Sequence, residues 1–341
     1  MKQYLEKLLN KQDLTAEEMK DAATNCFSPE TSDSELASFL TALRAKGETS
    51  EEAAGLAAVI RAQSSETTNT LTDVMDNCGT GGDYSNSFNI STTAAFVIAG
   101  AGIKIAKHGN RSISSKTGSA DVLEELGISL SFSKDHVEKV LQENNIAFLF
   151  APHVHPGMKR ISKVRKELGI PTTFNLIGPL TNPVNLDSQL LGVYRRDMLP
   201  MLAEALNQMG RKRAVVVHGA GNMDEASLSG GNHITLLNDG EITSFTLHPA
   251  DVRLPVYANA DIRGDTAKEN AAILRGVLEG KRGAYFDTVL LNAGLGIYAN
   301  GKASTIFDGI ELARESIESG AALEKLNYLV KYSSAVAKEA I

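Results

Sequence analysis

The first 70 residues of this chain carry helix signals only, and from Thr72 short apolar runs begin to alternate with helical ones. That change of texture limits the fold more than any other feature. Three capping boxes mark helix starts early on: Thr15 with Glu18, Ser32 with Glu35, and Thr49 with Glu52. In each, the hydroxyl serves the N–H three residues on and the glutamate reaches back. Apolar residues then recur at helical spacing, as in Leu36, Phe39, Leu40 and Leu43, and no strand signal precedes Leu71. Beyond it, strands are expected at residues 103–106, 146–150, 214–217 and 288–291, and helices at 122–126, 133–142 and 198–209. Such alternation builds an α/β domain with a central, largely parallel sheet flanked by helices. One antiparallel hairpin is expected where Asn238-Asp239-Gly240 separates residues 234–237 from 242–245. A length of 341 residues agrees with two domains. The division expected is an N-terminal all-helical domain, 1–71, joined by part of 156–183, and an α/β domain, 72–341. Gly169-Ile170-Pro171 and the stretch from Gly178 to Pro183 mark irregular connections, suited to a hinge.

Bulk properties narrow the function classes. The net charge of −7, from 34 basic and 41 acidic residues, argues against a protein built to coat nucleic acid. No apolar run approaches the roughly 18 residues a membrane span needs. The start, Met1-Lys2-Gln3-Tyr4-Leu5, lacks the apolar core of a signal peptide. Two cysteines, Cys26 and Cys78, are too few and too scattered for a disulfide framework, so a reducing cytoplasm is expected. Cys78 abuts a glycine loop, but no catalytic base is evident beside it, and a buried small residue is the expectation.

The chemistry concentrates between Asp76 and Asp121. Gly79, Gly81 and Gly82 let a backbone turn approach an anion. Ser91 and Thr92 open an apolar run, so their N–H groups lie at a helix start, a natural anion site. Lys107-His108-Gly109-Asn110-Arg111 follows the strand at 103–106, and a hydroxyl-rich segment runs from Ser112 through Lys116 to Ser119. Residues 79–83 match neither a Walker A loop nor a dinucleotide fingerprint, where Tyr84 takes the third glycine position. An ordinary glycine turn or a solvated basic turn explains each loop alone but not their succession. Asp224-Glu225 follows the strand at 214–217. Adjacent carboxylates there suit Mg²⁺ completed by substrate phosphates, with a polar helix start as the plain alternative. His153-Val154-His155 has the spacing of a transition-metal pair, yet no further ligands support zinc chemistry; a turn or a pocket wall is the better reading. No Ser-His-Asp or Cys-His arrangement is present, which suits catalysis by positioning and charge stabilisation.

These residues resemble the anthranilate phosphoribosyltransferase family over essentially the full length. The resemblance rests on Gly79 to Asp83, Asn89-Ile90-Ser91-Thr92, Lys107 to Arg111, Gly118-Ser119-Ala120-Asp121, Gly178 to Pro183 and Asp224-Glu225. It implies a nucleoside phosphorylase/phosphoribosyltransferase-like fold, a cytoplasmic homodimer without nucleic-acid or membrane partners, a place in tryptophan biosynthesis, and two Mg²⁺ ions per subunit. Phosphoribosyl pyrophosphate would bind Gly79, Gly82, Asp83, Ser87, Asn89, Ile90, Ser91, Thr92, Lys107, His108, Gly109, Asn110, Arg111, Ser112, Ile113, Ser114, Ser115 and Ser119. Ser91 and Glu225 would hold one metal, Asp224 with Glu225 the other. Gly79, Asn110 and Arg165 would contact anthranilate, with His108 and His155 lining its path; Lys107, Asn110 and Arg165 would be the catalytic set. The related pyrimidine nucleoside phosphorylases, and relatives of the fold that bind nucleic acid without catalysis, are the alternatives.

Overall fold

The computed structural model describes residues 1–65, 71–111 and 117–339. All three capping boxes form. After α1 (Lys2–Leu9) come α2 (Ala16–Phe27), α3 (Asp33–Lys46) and α4 (Ser50–Ala62), each of the last three opened by its Thr or Ser and closed back by its glutamate. The third box does more than cap. Glu52 is fully buried, and its carboxylate also accepts the Leu14 N–H at 2.9 Å and the Lys46 ammonium at 2.8 Å.

Seven strands follow: β1 (Val74–Gly79), β2 (Lys104–Gly109), β3 (Ile146–Phe150), β4 (Ser188–Gly192), β5 (Arg213–His218), β6 (Asn232–Asn238) and β7 (Glu241–Leu247). They lie in the order β3-β2-β1-β4-β5-β6-β7. Pairing is parallel from β3 to β5 and antiparallel across β6 and β7. The expected hairpin turns at Asp239 and Gly240, both at positive φ (47° and 88°), the geometry that matches strand twist.

Between β1 and β2 runs α5 (Ile90–Gly100), and between β2 and β3 run α6 (Ser119–Glu125) and α7 (Lys134–Asn144). The β3–β4 connection holds α8 (Ala151–Val154), α9 (Lys159–Leu168) and α10 (Phe174–Ile177), then a 3₁₀ turn, Gly178–Thr181. Next come α11 (Leu199–Gln208) before β5 and, after β7, α12 (Ala267–Leu278), α13 (Ala284–Asn300), α14 (Ile306–Glu318) and α15 (Ala321–Glu339).

Two apolar cores lie on opposite faces of the sheet, and β5 feeds both by alternation. Val215 and Val217 join α5, α13, α14 and α15, whereas Ala214 and Val216 join α11 and the N-terminal helices. Coverage of both faces is why β5 reads as a continuous apolar run. Ile161 of α9 and Phe174 of α10 belong to the second core with α1–α4.

One expected strand is wrong. Residues 288–291 lie in the middle of α13, which is buried nearly all round and packs on α5 and α14. A helix surrounded by protein has no polar face, so its apolar run carries no 3.6-residue signature to distinguish it from a buried strand. Conversely, β1 and β4 gave no strand signal of their own. They read Val-Met-Asp-Asn-Cys-Gly and Ser-Gln-Leu-Leu-Gly, and their buried polar residues serve the site. Among the described residues no helix is long and apolar enough to cross a membrane.

Candidate active site

Strand order reverses at β1 and β4, and in open α/β sheets the crevice beyond the carboxyl ends at such a point receives ligands. The glycine loop leaves β1 there. Gly81 and Gly82 sit at φ 68° and 83°, and Gly82 faces the ring of Tyr194. Asp83 Oδ1 accepts the Ser85 N–H at 3.2 Å, while Asp83 Oδ2 is buried without a hydrogen-bond partner. Ser87 bridges to Arg263. Asn89 leaves α5 uncapped; its side chain instead accepts a bond from Asn270 on α12 at 2.9 Å. Ile90, Ser91 and Thr92 form the first turn of α5, and the buried Thr92 hydroxyl has no partner.

From β5 the chain makes a tight turn. Gly219 and Met223 pair across it, with Gly221 and Asn222 both at positive φ, so Asp224 and Glu225 fold back over the sheet. Asp224 Oδ2 accepts the Gly81 N–H at 2.6 Å. Burial, then repulsion from Asp83 and Glu225, pushes the Asp224 carboxyl well above the carboxylate range. Burial likewise pushes Glu225 up to about 7, against the pull of Lys107 and of Ser91, whose hydroxyl and N–H reach toward it. Asp83, Asp224 and Glu225 thus stand together as an acidic group, Asp224 buried and the other two half-buried, with Lys107 as the cation that faces it.

Among the described residues, no three His, Cys, Asp or Glu side chains are placed to hold a metal ion unaided. A hard cation held by these carboxylates would need further oxygen ligands, such as those of a phosphate, to complete its shell. The partnerless Asp83 oxygen and the mutual repulsion of the acids fit such a cation.

Lys107 lies beneath this group, 2% exposed, its ammonium donating to the Asn77 carbonyl. Asn77 in turn donates to the Ser91 carbonyl at 2.8 Å. Next to it Asp76, fully buried, accepts the His108 N–H at 3.2 Å and the Asn182 amide at 2.9 Å. Burial raises the Asp76 carboxyl against the pull of Lys107. Asp76 and Asn182 were not assigned from sequence; a carboxylate and an amide within strand or irregular segments were the available signal. Cys78 donates to Asp76 at 3.3 Å, and burial beside that acid raises its thiol well above normal.

His108 and His155 form an edge-to-face pair 5.2 Å apart. Burial, with repulsion from His155 and Lys107, lowers His108 to about 3; burial lowers His155 to about 4. Both are neutral, and His108 Nε2 and both ring nitrogens of His155 make no bond of good geometry, although the Gly178, Thr181 and Ile60 carbonyls lie near. Arg165 on α9 is half-buried over the Phe174 ring at 5.2 Å and donates to Asn175 Oδ1 at 3.3 Å. The segment it touches leads directly into Gly178–Thr181, beside the two imidazoles.

Other expected residues stand apart. Arg111 is bound to Asp121 and Glu124 at 2.5 and 2.8 Å and lies over Phe150. Asn110 is exposed; its side chain accepts the Arg111 N–H, and its carbonyl accepts the Ser119 hydroxyl at 3.2 Å. Gly109 abuts Ser119 Oγ. Ser112, Ile113, Ser114, Ser115 and Lys116 lie outside the described residues.

This architecture has known counterparts. Residues 71–323 match the profile described as glycosyl transferase family, a/b domain, and residues 2–64 that of the family's helical bundle domain. An anthranilate phosphoribosyltransferase of Oceanobacillus iheyensis is 57% identical over 338 residues, 99% of each chain. One from Exiguobacterium sibiricum is 59% identical over 96% of this chain and 97% of its own. Among solved structures, the Thermus thermophilus anthranilate phosphoribosyltransferase superposes with a TM-score of 0.92 at 38% identity, covering 97% of this chain and 99% of that one. The Saccharomyces cerevisiae enzyme in complex with PRPP and Mg gives 0.88 at 32% identity, covering 98% and 97%. Similarity of this extent, carried by both the bundle and the sheet, shows that the chain belongs to the anthranilate phosphoribosyltransferase family.

Proposed function

We propose that the chain transfers the phosphoribosyl group of 5-phosphoribosyl 1-pyrophosphate to the amine of anthranilate, giving N-(5-phosphoribosyl)anthranilate and pyrophosphate. The reaction would serve tryptophan biosynthesis in the cytoplasm, in a homodimer holding two Mg²⁺ per subunit. Residues 1–71 with part of 156–183 would form one unit, 72–341 the other, an arrangement supported by the shared packing of α9 and α10 with α1–α4. The observation that carries the reading is the meeting of Asp83, Asp224, Glu225 and Lys107 beyond β1 and β4. The yeast relative with PRPP and Mg, and another of its structures with 4-fluoroanthranilate, support the same substrates.

Ser91, Asp224 and Glu225 would hold the cations. Neutralising the leaving pyrophosphate is the chemistry that bound Mg²⁺ supplies. Gly79, Gly82, Asp83, Ser87, residues 89–92, residues 107–115 and Ser119 would hold the donor, with the first turn of α5 offering N–H groups to an anion. Lys107 adds a buried positive charge against the acids. The neutral His108–His155 pair would line the acceptor's path with buried rings that carry no charge. Arg165 would pair the anthranilate carboxylate, and Asn110 and Gly79 would complete its contacts, leaving the amine to attack C1 of the ribose directly. The raised thiol of Cys78 agrees with a reaction that forms no covalent enzyme intermediate. Anthranilate fluorescence tests this: it should decay only with phosphoribosyl pyrophosphate and Mg²⁺ both present, and a steady signal in the complete mixture would refute the reading.

A further inference from the structure

The main chain of Asp224 and Glu225 crosses the carboxyl ends of three neighbouring parallel strands, and at each crossing stands a glycine, as the last residue of β1 and of β4 and the first residue after β5. β1 stops at Gly79 and β4 at Gly192, which are register partners; β5 passes from His218 into Gly219. A Cβ placed on Gly192 would lie 1.6 Å from the Asp224 carbonyl oxygen and 2.6 Å from its carbon. On Gly79 it would lie 2.2 Å from Asp224 Oδ2 and 2.9 Å from the Asp224 carbonyl oxygen. On Gly219 it would lie 2.0 Å from the Glu225 carbonyl oxygen. Real Cβ contacts essentially never fall below 3.0 Å.

None of the three glycines has positive φ, so backbone conformation does not require them. What requires them is the close approach of another main chain. At Gly192 and Gly219 the atoms met are carbonyl groups, which cannot swing aside as a side chain could. A larger residue at Gly192 must move the Asp224 carbonyl and one at Gly219 the Glu225 carbonyl, and with that main chain the carboxylates that face Asp83, Ser91 and Lys107.

We propose that Gly192 and Gly219 are positioning residues: with Gly79 they form a saddle without side chains that seats the Asp224–Glu225 peptide and sets where both carboxylates stand. This rests on the reading that those carboxylates serve a divalent cation and pyrophosphate.

The test uses the full chain, with Mn²⁺ and inorganic pyrophosphate as probes and free Mn²⁺ followed by electron paramagnetic resonance. Gly192→Ala and Gly219→Ala should each weaken Mn²⁺–pyrophosphate binding about tenfold or more, while the Michaelis constant for anthranilate at saturating Mg²⁺ moves about twofold or less. Unchanged Mn²⁺ binding, or equal losses in both constants, would overturn the proposal. A second measurement needs no variant. In wild-type protein labelled with ¹⁵N-glycine, Mn²⁺–pyrophosphate should broaden the amide signals of Gly79, Gly192 and Gly219 more than that of Gly47, which ends α3 in the N-terminal helices. Sharp signals from Gly192 and Gly219 would equally overturn it. A wild-type chain that binds no Mn²⁺–pyrophosphate would instead defeat the cation reading, and the saddle's role with it.

Discussion

At the scale of single residues, the acceptor side proposed for His108, His155 and Arg165 combines buried uncharged rings with one cation. His108 and His155, at about 3 and 4, contribute shape without charge at neutral pH. Arg165 contributes the charge. It stays cationic although burial lowers its guanidinium, and it has no carboxylate partner among the described residues. Its planar fork suits a carboxylate in a way that lysine does not. Arg165→Ala should therefore raise the Michaelis constant for anthranilate far more than that for the phosphoribosyl donor. Loss of one charged hydrogen bond costs about 1.5–3 kcal/mol, a roughly tenfold to hundredfold effect in steady-state kinetics. Equal losses for both substrates would make Arg165 a structural residue of α9. Helical spacing puts Ile161, Val164 and Leu168 on one apolar face beside Arg165; the first two are buried and Leu168 is half-buried. Sequence could not show the stacking on Phe174, because that contact joins elements whose packing no local pattern encodes.

Among elements, α4 shows how a local signal can understate a role. Thr49 and Glu52 were legible as a capping box, but Glu52 also neutralises Lys46, whose side chain is 3% exposed, and ties down the Leu14 N–H. Thr49→Ala should lose only the cap, about 1 kcal/mol in a urea melt. Glu52→Ala should lose more, about 1–3 kcal/mol beyond the cap, because it leaves the buried Leu14 N–H unpaired while Lys46 keeps only its second partner, Asp13, at 2.6 Å. Similar midpoints for the two variants would show that the Leu14 N–H finds another partner. The capping boxes, the β6–β7 hairpin, the edge strand β3 and the interior strands β2 and β5 were legible because each is specified by neighbours in sequence. α13 was not, because its apolar surroundings erase periodicity. β1 and β4 were not, because Asp76, Asn77 and Gln189 are poor strand formers kept by their buried partners. The glycine loop, the α5 start and Asp224-Glu225 were readable as motifs, and Gly192 was not, since its reason is a chain segment that crosses it from far along the sequence.

For the molecule as a whole, the acidic group sets function against stability. Glu225, raised from 4.5 to about 7, binds its proton more tightly when folded. Its contribution is fully present below pH 4.5 and is lost as pH rises through about 7. The double variant Asp224→Asn, Glu225→Gln should abolish turnover yet raise the unfolding free energy by about 0.5–2 kcal/mol above neutrality, with little gain near pH 4.5. A destabilised variant at high pH would contradict the reading of that site as strained. The second apolar core has a consequence of a different kind. Helices α1–α4 complete their burial against Leu191 of β4, Val216 of β5 and Leu237 of β6. During synthesis at about 5–20 residues per second, the N-terminal helices would wait roughly ten seconds for those strands to emerge. A nascent chain ending before Ser188 should expose their sticky underside and capture a chaperone or a hydrophobic dye, whereas release of the full chain should end the capture. The partner that the earliest residues need is among the later ones to be made.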